Sequence, residues 1–160
     1  MKDIAILLPY KENFTQNNAA AASIWVKDYL INSSLKEKTI VYGNLNQKNK
    51  PLLKNFKNLS FGNTIFSKNV SYTSKFYHEY LKYRFKIIEI HNRPESLIYL
   101  IKKKVKSKLI FVYHNNPQDL RSSFTPKERI FIANNTDQIF FVSNWVNKKF
   151  FENLPYAHKN

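Results

Sequence analysis

Leu109-Ile110-Phe111-Val112-Tyr113 is an unbroken apolar run, closed by the polar segment His114-Asn115-Asn116-Pro117-Gln118-Asp119. A strand that is apolar at successive positions, rather than at alternate ones, is buried on both faces. That is the condition of a parallel sheet covered by helices on either side. Further runs stand at Ile4–Leu8, Thr39–Tyr42, Ile87–Ile90 and Gln138–Val142, with a weaker candidate at Asn63–Ser67. Helical patterns fall between them. Ala19–Asn32 opens on four alanines, the strongest helix formers, and Ile24, Val26, Tyr29, Leu30 and Ile31 supply an apolar stripe with Trp25 beside it. Tyr72–Phe85 repeats Phe76, Tyr80, Leu81 and Tyr83 at helical spacing. Pro94 and Pro126 suit first helical turns of segments ending near Lys104 and Asn134, and Ser143 can cap a last helix bearing Val146, Phe150 and Phe151. Residues 44–62, rich in Asn and Lys, read as a long loop. Strand–helix alternation predicts an α/β fold: one Rossmann-like, doubly wound parallel sheet in a single domain spanning residues 1–160.

Composition narrows the class. A chain of 160 residues suits one core, and 43% hydrophobic with 16% aromatic residues excludes disorder. The absence of cysteine removes disulfide scaffolds, thiolate metal sites and cysteine nucleophiles, and fits a reducing compartment. Pro9 ends the first apolar run well short of a signal peptide or a membrane span. The expectation is a cytoplasmic protein, with at most peripheral contact at the anionic inner membrane face. A net charge of +15 would attract polyanions. The basic residues are nevertheless dispersed. Their densest group, Lys102, Lys103, Lys104, Lys106 and Lys108, follows a helix, where cations complement the dipole. Nucleic acid is therefore not the favoured partner, and a basic, non-enzymatic module for RNA or anionic lipid stands as the alternative function.

In an open parallel sheet, ligands gather beyond the carboxyl ends of the strands. Four such ends carry polar groups: Pro9–Asn18 after the first strand, His91-Asn92-Arg93-Pro94-Glu95 after the fourth, His114-Asn115 after the fifth and Ser143-Asn144-Trp145 after the sixth. They should converge on one edge of the sheet. Gly43 and Gly62 are the only glycines, so no dinucleotide fingerprint or phosphate-binding loop is available. No nucleophile elbow is present, and the four histidines lack zinc-ligand spacing, so neither a metal nor a cofactor is expected. Arg93, beside a histidine and an asparagine, suits phosphate or carboxylate. Ser143 reads as a helix cap, and Trp25 and Trp145 as core or interface packing.

Four segments resemble the N-terminal, acceptor-side domain of retaining GT-B glycosyltransferases of the family 4-like group, which includes glycogen-synthase-like and lipopolysaccharide-type enzymes. They are Ile6–Val26, Ile88–Pro94, Ile110–Asn115 and Asp137–Val146, in the family's order and spanning most of the chain. The resemblance implies a hexosyltransferase-type enzyme that moves a sugar from a nucleotide-sugar to a saccharide or cell-envelope glycan acceptor, with retention and without a metal. Thr15, Asn17 and Asn18 would face donor phosphates and acceptor. His91, Asn92, Arg93, Glu95 and Asn115 would line the substrate side, and His114 would be the catalytic residue near the transferred sugar. Two departures stand out. The first loop carries Asn17-Asn18-Ala19-Ala20 where the family usually has glycine, and the donor-binding C-terminal domain is absent from these residues. Activity is therefore expected only with a complementing donor-binding domain, whether the chain is a truncated product, half of a split enzyme or a relic. An apolar patch near Trp145, Phe150 and Phe151 is expected, and with it self-association or a partner chain.

Overall fold

The computed structural model describes residues 2–17, 19–45, 50–59 and 67–155. Six strands form one all-parallel sheet: β1 (Ile4–Leu7), β2 (Thr39–Gly43), β3 (Phe56–Asn58), β4 (Ile87–His91), β5 (Lys108–Tyr113) and β6 (Gln138–Phe141). Their order is β3-β2-β1-β4-β5-β6. The chain starts at the centre, builds outward to β3, then returns past β1 to build the other half. This is the doubly wound, Rossmann-like arrangement, with its switch point between β1 and β4. Five helices connect or follow the strands: α1 (Ala21–Ile31), α2 (Lys68–Tyr83), α3 (Pro94–Lys102), α4 (Pro126–Asn135) and α5 (Asn144–Phe151).

Side chains alternate across the pleat, and the two faces differ. One face packs Leu7, Ile88, Ile90, Phe111 and Tyr113 against Tyr72, Phe76, Leu97, Leu100, Ile132, Val146 and Phe150 of α2 to α5. The other packs Ile6, Leu8 and Val41 against Ala22, Val26 and Leu30 of α1 and against Phe14 and Leu53 of the loops. Among the described residues α1 is the one helix packed on this face, and it covers a narrow seam. Ile24, Trp25, Tyr29 and Ile31, expected as an apolar stripe or its edge, are 40–48% exposed. Phe150, expected on a surface patch, is fully buried, whereas Trp145 (54%) and Phe151 (39%) are exposed.

β3 forms where the sequence reading saw only loop, while the expected strand at Asn63–Ser67 lies almost wholly outside the described residues. β3 is three residues long and has one apolar side chain, too little for a periodic signal. Its anchor is Phe56, which stacks on buried Phe14 at 5.0 Å. Phe56 also occupies the space beside Gly43, where an added Cβ would stand 2.8 Å from the ring. The other elements fall within a few residues of their expected limits. The local signals are present too: Pro94 and Pro126 begin their helices, Thr125 and Glu128 form a capping box, and Ser143 Oγ accepts from Val146 N at 3.2 Å.

Candidate functional site

The switch point carries the site. β4 and β5 pair in register with His91 opposite Val112. Glu89 and His91 are two residues apart on one strand, and His114 lies two beyond Val112, so all three stand on the face that α1 covers. The result is a chain of hydrogen bonds. His91 Nε2 lies 2.7 Å from Glu89 Oε1, and His91 Nδ1 lies 2.8 Å from His114 Nε2. The His91 side chain is fully buried, whereas that of Glu89 is only 13% exposed. With Glu89 ionised, its carboxylate accepts the Nε2 proton of His91. When His91 is neutral, its Nδ1 accepts from the Nε2–H of His114, which leaves a lone pair on His114 Nδ1; when His91 is protonated, its Nδ1–H donates to His114 Nε2 instead. Burial, reinforced by the charge of His91, lowers the pKa of His114 to about 4. His114 is therefore an uncharged imidazole at neutral pH, a weak base suited to hydrogen bonding.

The surrounding residues fix this pair. Asn92 adopts a left-handed backbone (φ 51), which asparagine tolerates better than most residues. That turn aims its Oδ1 at the next strand end, where it accepts from His114 N at 3.3 Å and Asn115 N at 3.2 Å. Trp25 covers both imidazoles, with centroids 5.5 Å from His91 and 6.0 Å from His114. The helix and the two strand ends thus meet at one point.

Glu12, in the loop after β1, completes the arrangement. Its pKa is raised, chiefly by burial, and the charges of His91 and Arg93 oppose the rise. Glu12 Oε2 and Arg93 Nε are both buried without a hydrogen-bond partner among the described residues. Arg93 donates through one terminal nitrogen to Asn92 O at 3.3 Å. A buried donor and a buried acceptor left unmatched at the switch point are costly unless a ligand completes them.

The expected site residues divide accordingly. His91, Asn92, His114 and Asn115 are joined by hydrogen bonds, with Arg93 adjoining. Glu95 is held on the α2 side, where it accepts from Asn69 Nδ2 at 3.4 Å and lies 3.5 Å from Arg121 Nε. Thr15 is buried where the first loop bridges to Pro51, while Asn17 is exposed and Asn18 lies outside the described residues. Ser143 serves as the cap of α5. Trp25, read as core or interface packing, is 42% exposed and so not core, and it borders the site. Glu12 and Glu89 were not singled out from the sequence, and Trp25 was not assigned to the site. Only Glu89 left a legible signal there, as a charge inside an otherwise apolar strand. Among the described residues, no group of three or more His, Asp or Glu side chains is arranged to hold a metal ion.

Compared with known proteins, the chain matches no family model and no curated protein.

Proposed function

We propose that this domain is the acceptor-side half of a sugar transferase, with His114 contacting the reacting hydroxyl. The observation that carries the reading is the pairing of His114 with His91 at the carboxyl edge of a doubly wound sheet. Orienting a hydroxyl by a hydrogen bond calls for a neutral imidazole held in place, and the Glu89–His91–His114 chain supports that role. Arg93, with its unmatched Nε, suits an anionic oxygen such as a phosphate of a nucleotide-sugar. The order of the four segments that resemble the family 4-like glycosyltransferases supports the same assignment. The saccharide acceptor and the nucleotide-sugar are the substrates in this reading, and a donor-binding domain completes the enzyme.

The test is a transfer assay with labelled nucleotide-sugars and saccharide acceptors, paired with imidazole NMR. Saccharide addition should shift the His114 ring nitrogens, and His114→Ala should lower transfer by about 100-fold or more. Neither a shift nor His114-dependent transfer with any nucleotide-sugar would remove the assignment. Tight binding to generic RNA that weakens steeply with salt would favour the basic-module alternative.

A further inference from the structure

We infer that the sugar acceptor carries an apolar chain, and that this chain lies in a groove on the α1 face of the sheet. The inference rests on the transferase reading above.

The groove has a volume of about 540 Å³. Trp25 and Tyr29 of α1 form one wall, stacked on each other at 5.6 Å and both exposed. Phe140 and Val142, 47% and 46% exposed, form the opposite wall, and Val112 and Glu89 lie between. A groove of this size falls within the range of small-molecule sites, which are mostly apolar with a few placed polar groups.

Two of its residues belong to the candidate site. Trp25 covers the imidazoles of His91 and His114, and Glu89 bonds His91. The groove therefore runs directly from the histidine pair and is no separate surface. Its chemistry is also lopsided. The single charged group is the Glu89 carboxylate, at the end that meets His91, and the remainder is aromatic or aliphatic. A free sugar would find one strong acceptor there, and besides it only the Trp25 indole N–H and the Tyr29 hydroxyl among the lining side chains, too few for its other hydroxyls. The complement is an amphiphile, with a hydroxyl-bearing head against the carboxylate and imidazoles and a hydrocarbon body against Phe140, Val142 and Tyr29. Each methylene buried should raise affinity about fourfold, so chain length should govern binding.

The protein has two tryptophans. A Trp145→Phe background, which alters an exposed side chain, leaves Trp25 as the only reporter. Octyl β-glucoside below its micelle concentration should shift Trp25 emission saturably, and methyl β-glucoside at equal concentration should not. Val142→Asp, at an exposed wall position, should weaken the octyl response by about tenfold or more, and Phe140→Ser should do the same if the first variant misfolds. No saturable response, or an unchanged response in both wall variants, overturns the proposal. So does Trp25 burial that tracks protein concentration without ligand and sediments as a dimer, since a second copy would then cover the groove. The two readings fail separately. His114-dependent transfer to soluble saccharides without octyl binding removes the groove alone, whereas octyl binding without His114-dependent transfer to any acceptor removes the transferase reading and leaves an apolar-ligand site.

Discussion

The two faces of this sheet share a backbone but live in different solvents. On the face covered by α2 to α5, the side chains of β1, β4 and β5 are almost completely buried. On the other, α1 covers only the strands near the centre, and beyond it Phe140 and Val142 of the β6 region remain about half exposed. The first face holds the molecule together. The second carries the polar relay, the unmatched groups nearby and the groove. A sheet can keep buried carboxylate–imidazole chemistry on one side when the other supplies most of the hydrophobic stabilisation.

The strongest way to break this contrast is on the covered face, at Arg129. Its side chain is buried and its guanidinium donates to the carbonyls of Phe150 (2.7 Å), Ser123 (3.2 Å), Phe124 (2.8 Å) and Glu152 (2.8 Å), tying α4 to α5. Arg129→Ala strands those carbonyls and should cost about 3–5 kcal/mol, read as a lower urea midpoint. An unchanged midpoint would mean that the helices hold without it.

Phe111 and Phe140 allow a direct comparison across the sheet. Phe111→Ala empties a fully buried position and should cost about 3–5 kcal/mol, whereas Phe140→Ala should cost less than about 1 kcal/mol. Equal losses would show that the second face is covered in solution.

The site adds a pH dependence. The His114 pKa is about 4 in the fold against 6.5 for the free side chain, so the unfolded chain binds more protons between those values. Stability should therefore fall as pH drops from about 6.5 to about 4, by no more than about 2 kcal/mol once solvent screening is allowed for. His114→Asn should flatten that part of the urea-midpoint profile. A profile as steep as the parent's would assign the slope to another group.

The smallest effect belongs to the cap of α5. Ser143→Ala removes the bond from Val146 N and should lower stability by about 1 kcal/mol without changing any substrate-binding readout. A large loss of binding would make Ser143 part of the site rather than only a helix end.

Much of the fold was legible because its signals are local. Leu109–Tyr113 announces a strand buried on both sides, Pro94 and Pro126 start their helices, and Ser143 caps the last one. β3 was not legible, since three residues with one aromatic carry no period, and the pairing of Phe56 with Phe14 joins segments far apart in sequence. The exposure of Ile24, Tyr29 and Ile31 was equally hidden. An apolar position on a helix says that burial is available, while the number of neighbouring helices says whether it happens.

The candidate site divides along the same line. By itself, the sequence determined that His91 and His114 follow parallel strands, because each closes an apolar run and strand ends collect polar residues. Only the tertiary structure decided that they would touch, that Glu89 would fix the inner imidazole, His91, and that Trp25 would lie over both. Those contacts depend on the register between β4 and β5 and on where α1 crosses the sheet. Both are set by packing among elements distant along the chain, which no short window of residues contains.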